Sequence, residues 1–204
     1  MDNYTIFDYL WEILFVNPLA LIGVILITAY ILPFKLSWRR KIAILLPALL
    51  LFYYLQIGLT HIFGITTVGE LQRMLRLGEG VFHPRWEWRL LAEGLSSGFI
   101  ANIMVFMPIG FLLPFISRSF QKVYKTVFLG AGISLAIEIS QIFTLYRATD
   151  INDLLANTIG TLIGWCCFKL VAKIFRLQAT VEAQTRYLPV IVVVIAFLNV
   201  FLNV

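Results

Sequence analysis

The sequence predicts an all-α fold, a polytopic transmembrane bundle of about six spans, and three observations carry that expectation. Of 204 residues, 60% are apolar and only 13% charged, with a mean hydropathy of +0.89, well outside the range of a soluble domain. Apolar runs close to the ~20 residues needed to cross a bilayer recur along the chain, separated mostly by short polar segments. The basic residues gather in alternate connections, as topology signals do, and no nucleic-acid motif accompanies the net charge of +5. Several spans leave no room for a soluble domain, so one membrane domain over residues 1–204 is expected. Cys166 and Cys167 are adjacent within an apolar run and lack metal-ligand spacing. The acidic N-terminus precedes a full-length span without a basic n-region, so no cleavable signal is expected.

Taken in order, the spans read Ile13–Phe34, Ile42–Phe63, Phe99–Ile116, Thr126–Tyr146, Ile151 to about Leu170, and Tyr187–Val204. The fifth carries Asp153 near its start and Lys169 at its end, both of which need water, a partner or headgroups. The sixth is at the short limit for a crossing. Pro47, Pro108 and Pro114 each free a carbonyl within a span and should bend it. The long connection 64–98 has Val68, Leu71, Met74, Leu75 and Leu77 at helical spacing against Glu70, Gln72, Arg73 and Arg76, which predicts a short interfacial helix. After it, FHPRWEWRLL offers Trp86 and Trp88 as interface anchors, with Arg85 and Arg89 placed to meet phosphate. The same segment has a second reading, as the outer wall of a site.

Segments 35–41, 117–125 and 169–186 hold eleven Lys and Arg between spans, whereas the other side has five, Arg73, Arg76, Arg85, Arg89 and Arg147, together with the acidic N-terminus. The positive-inside rule then places both termini outside, and with them the turn at 147–153.

The most informative stretch is Ser134–Gly164. Ser134, Glu138 and Gln141 are spaced i, i+4, i+7, and Asp153, Asn157, Gly160 and Gly164 are spaced i, i+4, i+7, i+11, so each set shares one helix face. Arg147 and Asp150 lie in the turn between, which should draw the polar groups together near one membrane surface.

Three blocks, NIMVFMPIGFLLP (Asn102–Pro114), SLAIEISQIF (Ser134–Phe143) and RATDINDLLANTIGTLIG (Arg147–Gly164), resemble the VanZ-like family of small bacterial membrane proteins. The resemblance covers about 99–166 and rests on Asn102, Phe106, Pro108, Gly110, Phe111, Ser134, Glu138, Gln141, Arg147, Asp150, Asp153, Asn157, Gly160 and Gly164. It implies a contribution to antibiotic resistance, against teicoplanin and related glycopeptides, and supplies no chemical mechanism.

Each candidate has a structural and a functional reading. Glu138, about 12 Å below the expected end of its span at ~1.5 Å per residue, needs a partner, for which Arg147 and Asn157 are available. It either clamps two spans or serves a ligand. Asp150 can cap the fifth helix, and Asp153 also favours its positive end. Asn102 either caps the third span or lines the site, Asn157 bonds across to another helix, and Gly160 and Gly164 allow close helix approach. The expected ligand-binding set is Asn102, Glu138, Gln141, Arg147, Asp150, Asp153 and Asn157, with Glu138, Asp150 and Asp153 as catalytic candidates.

Three carboxylates around one arginine suit acid–base work or a hard cation. The signal is weak, and no dedicated metal site or cofactor is expected. The leading expectation is a binding or protective protein at the outer leaflet, taking a lipid-tailed glycopeptide or lipid-linked cell-wall precursor, with Arg147 for the anionic part and helix faces for the chain. Its alternative is a membrane enzyme modifying a lipid-linked envelope substrate with Glu138 and Asp150 or Asp153. Membrane lipids are expected partners, nucleic acid is not, and the oligomeric state is left open. The charge distribution predicts that single cysteines at Ser37 and Ser119, without Cys166 and Cys167, resist an impermeant thiol reagent in intact cells, while one at Ser96 reacts. Labelling at Ser37 but not Ser96 inverts this topology.

Overall fold

A computed structural model describes residues 18–90, 94, 96–145, 147–176 and 182–203. The chain is helical almost throughout. Its helices are α1 (Pro18–Ile31), α2 (Trp38–Ile57, continued by a π-helical turn at Gly58–Ile62), α3 (Val68–Arg76), α4 (Ser97–Ile116), α5 (Val123–Gln141), α6 (Ile151–Ile174), the one-turn α7 (Glu182–Thr185) and α8 (Leu188–Phe201). Two short strands, β1 (Trp86–Glu87) and β2 (Thr149–Asp150), pair in parallel.

Four helices, α2 with its π turn, α4, α5 and α6, are long and apolar enough to cross a membrane. At 14 residues each, α1 and α8 rise about 21 Å at ~1.5 Å per residue, short of a ~30 Å hydrocarbon core. Among the described residues crossing length is therefore met by four helices, those of the second to fifth expected spans; residues 13–17 of the first span, Tyr146 of the fourth and Val204 of the sixth lie outside the described residues. The fourth span also ends earlier than its apolar run suggested. The chain leaves α5 at Gln141 because the next amides turn back, Phe143 N–H to the Ser140 carbonyl and Thr144 N–H to that of Gln141. The short helix expected in this connection is present as α3, where the Thr67 hydroxyl accepts the Glu70 N–H. Arg73, hydrogen-bonded to the Glu70 carboxylate, holds that carboxyl below its usual range.

The bundle is built on α4 and α6, which run parallel with α5 returning between them. Glycine makes this seam close. A side chain at Gly160 would strike the Ile103 carbonyl, one at Gly164 the Met107 carbonyl, and one at Gly110 the Thr161 carbonyl. Backbone thus meets backbone, the geometry that lets small residues join helices in lipid. Gly110 serves this contact, in addition to any bend from its neighbour Pro108. Further along, the Phe115 ring meets Phe168 edge-on at 4.8 Å. On α5, Gly130 makes room for the Thr161 side chain.

Around this seam α2 joins α4 through the Tyr54 hydroxyl and the Val105 carbonyl, and joins α8 through the Gln56 amide and the Ala196 carbonyl. Asn199 of α8 donates to the Leu19 carbonyl of α1. With helix directions alternating, the basic connections 32–37, 117–122 and the one after α6 share one end of the bundle. The starts of α1, α4 and α6 share the other with the ends of α2, α5 and α8. Ser119 is buried and accepts a hydrogen bond from Lys125, so the exposed Ser37 is the informative labelling position at the basic end; the Ser96 hydroxyl caps α4, and exposed Glu79 serves better at the other.

The seam generates a stability prediction. Gly164→Leu should prevent native assembly, because the obstruction is backbone that cannot move aside, whereas Gly132→Ala, which meets nothing within 4 Å, should be neutral or gain about 0.5–1 kcal/mol from helix propensity. Thermal unfolding in detergent distinguishes them, and equal stabilities would contradict the seam.

Candidate functional site

At the end opposite the basic connections, α2, α4, α5, α6 and the two strands bring together the polar residues singled out in the sequence. Both predicted faces are real: Ser134, Glu138 and Gln141 are buried on α5, as are Asn157, Gly160 and Gly164 on α6. Glu138 is 3% exposed. Because α5 stops at Gln141, it lies only about 4.5 Å from the helix end at ~1.5 Å per residue, not 12 Å deep. Its Oε2 accepts the Asp150 backbone N–H at 2.9 Å, and the Thr149 hydroxyl donates to its carbonyl at 3.2 Å. The carboxylate therefore receives the strand β2 that immediately precedes α6.

Of the two partners open to Glu138, Arg147 forms no ion pair with it. Among the described residues the one salt bridge joins Arg73 and Glu70. Arg147 instead donates through Nη2 to the Ile62 carbonyl at 3.1 Å, where the π turn ends, and lies beside Gly64. Gly64, at φ 60°, turns the chain out of α2 in a conformation that suits glycine. Gln141 likewise serves this junction, donating to the Phe63 carbonyl at 2.9 Å. Asn157 does not reach Glu138 either: its amide donates to the Ser134 hydroxyl at 2.9 Å, and its buried Oδ1 has no hydrogen-bond partner.

The remaining acids are divided between other duties. Asp150 caps α6, accepting the Asn152 N–H at 2.8 Å. Asp153 accepts the Asn102 amide at 2.6 Å, tying the start of α6 to α4. Asn102 thus lies within α4 and does not cap it; Ser96 is the cap. Among the described residues no group of three or more His, Cys, Asp or Glu is arranged to hold a metal ion, so the hard-cation reading gains no support from ligand geometry.

The 64–98 connection, for which an interface-anchor and a wall reading both stand open, packs its strand against the turn before α6. Strand β1 lies along β2, with Thr149 N–H donating to the Arg85 carbonyl, His83 N–H to that of Ile142, and the Asn152 amide to that of Arg89. Thr66 closes another side by donating to the Ser140 carbonyl. Sequence reasoning did not name Thr66, Thr149 or Asn152 as site residues. Thr149 and Asn152 lie within the RATDIND block and were open to notice; Thr66 stands in no periodic pattern and carried no signal.

The VanZ/LLP1 family model matches residues 21–173, well over half of the chain. The chain belongs to the VanZ/LLP1 family. Its VanZ-like domain is wider than the motif region 99–166: it begins in α1 and takes in α2, α3 and the β1 wall, while α8 falls outside it. This protein is accordingly a VanZ-like membrane protein, with four helices capable of crossing. No curated protein and no solved structure matches the chain.

The hydrogen bonds around Glu138 make a prediction about coupling. Glutamine retains an oxygen for the Asp150 N–H, so Glu138→Gln should stay folded. Arg147, held by a carbonyl, should not depend on the lost charge. A double-mutant cycle of Glu138→Gln with Arg147→Leu, read by thermal stability in detergent, should give coupling below ~1 kcal/mol. Breaking a buried ion pair costs about 3–5 kcal/mol, and a value in that range would restore the ion-pair clamp.

Proposed function

We propose that this VanZ-like protein binds a lipid-tailed or lipid-linked anionic envelope molecule at the outer leaflet of the bacterial cytoplasmic membrane. By holding a lipoglycopeptide or shielding its cell-wall precursor target, it contributes to glycopeptide resistance. The observation that carries this reading is the state of Arg147. Its guanidinium is exposed, anchored to one carbonyl, and unpaired with any carboxylate among the described residues, and it stands at the mouth of the polar cluster. Such a group has donors free for a phosphate or carboxylate, and the surrounding apolar helix faces suit a lipid chain. The outward placement of this end is supported by the basic connections at the other.

The catalytic alternative, Glu138 working with Asp150 or Asp153 on a lipid-linked substrate, draws less support. Each carboxylate has a separate partner: the Asp150 amide for Glu138, the α6 start for Asp150, and Asn102 for Asp153. Acid–base catalysis asks for two groups aimed at one reacting centre.

If Arg147 holds the anion, Arg147→Gln should weaken teicoplanin binding to the detergent-solubilised protein about 10- to 100-fold, the value of a charge-assisted hydrogen bond. Protection should fall towards that of cells lacking the protein. Full protection by a well-expressed Arg147→Gln, where the wild type protects, would sink the assignment. A new lipid or precursor product that disappears in Glu138→Gln would transfer the function to the enzyme reading.

A further inference from the structure

The wall over the site has an outer face that the ligand reading does not use. Trp86 is 50% and Trp88 68% exposed, and their rings stack at 5.5 Å with 14° between planes. Being two apart on a strand they share one face, with Arg85, Glu87 and Arg89 alternating on the other. Phe82 and Leu90 beside them, and Leu75 and Leu77 at the end of α3, are also exposed. So many large apolar groups exposed in one connection need a non-aqueous neighbour. The arginines supply the complementary charge: Arg85 and Arg89 are exposed, and their guanidinium groups make no hydrogen bond or ion pair among the described residues.

Position identifies the neighbour. β1 is hydrogen-bonded to β2, and β2 runs directly into Ile151, the first residue of a crossing helix. β1 therefore sits at the level where the apolar spans end, the layer of headgroups and upper acyl chain in which indole and guanidinium are both at home. We propose that β1 is a docking surface for anionic phospholipid: the Trp86–Trp88 pair enters the interfacial layer, and Arg85 and Arg89 hold lipid phosphates. The strand that walls the polar site is in this way seated in the bilayer, so the site lies beside lipid rather than beneath a water-filled loop. The surface belongs to the bilayer itself and does not require the ligand proposed above.

The test uses the full chain in vesicles of phosphatidylcholine with and without phosphatidylglycerol. Emission from the pair is obtained as wild type minus Trp86→Phe/Trp88→Phe, a substitution of exposed rings. Shallow spin-labelled lipids should quench this difference emission more than deep-labelled ones, and aqueous iodide should quench it weakly. Labelled phosphatidylglycerol should act at lower mole fraction than labelled phosphatidylcholine, a preference that Arg85→Gln and Arg89→Gln should each reduce about fivefold. Strong iodide quenching without shallow-lipid quenching would place the strand in water and overturn the proposal. A phosphatidylglycerol preference unchanged in the double arginine variant would overturn the phosphate contact. Neither result depends on whether a glycopeptide binds, so the two readings fail separately.

Discussion

The close parallel contact of α4 with α6 is the constraint on which the rest of the structure depends. Lipid tails offer no hydrophobic drive for helices to associate, so a bundle needs backbones near enough for dispersion and weak Cα–H···O contacts, each worth about 0.5–1 kcal/mol. Gly110, Gly160 and Gly164 remove the side chains that would hold the backbones apart. A parallel pair also imposes its connection. The chain must return across the membrane between them, and α5 is that return. Its last turn thereby arrives beside the first turns of α4 and α6, which is why Glu138, Asn102 and Asp153 meet although 51 residues separate Asn102 from Asp153.

At this meeting point the charged groups are satisfied by backbone more than by each other. Glu138 takes an amide, Arg147 a carbonyl and Gln141 a carbonyl. The physical advantage is that a buried ion pair must recover the desolvation of two charges, whereas backbone groups at helix ends need partners in any case. The consequence is mechanical. Every such bond fixes a segment: β2 over α5, the end of α2 against Arg147, and, through β2, the β1 strand. The polar residues thus fasten β2, and the end of α2, to the bundle.

Much of this was legible in the sequence, because helical periodicity places residues on faces without knowing the fold. The buried faces of α5 and α6, the capping role of Asp150 and the short helix in the 64–98 connection follow from spacing and residue type alone. The end of α5 was not legible: Ile142 to Leu145 continue the largely apolar run, and only the partners of Gln141 and Thr144 end the helix. The partner of Glu138 was not legible for a related reason: Arg147 and Asn157 were both available, and it is the Asp150 amide instead. Opposite charges near one turn suggest an ion pair, but the carbonyl that holds Arg147 belongs to Ile62, 85 residues away, and backbone carbonyls leave no mark in a sequence. Span counting met a similar limit, since α8 is apolar but has 14 described residues, and what gives it a place is packing on α2 through Gln56.

The polar column on α6 also bears on what kind of function this architecture admits. From the mouth inward come Asp153, Asn157, Thr161 and Gly164, roughly a turn apart on one face. Polarity falls along this series while the neighbouring helices close in. At Asn157 one buried oxygen already lacks a donor, which ordinarily costs about 1–3 kcal/mol. At Thr161 the backbone carbonyl is against Gly110 and the side chain against Gly130, with its hydroxyl turned back to the Asn157 carbonyl. At Gly164 the backbone of α4 is in direct contact. The column ends blind along this seam, and a solute passing through would have to part helices at the contact that holds them together. The polar column thus closes where the backbones of α4 and α6 meet, at the contact that holds the bundle together.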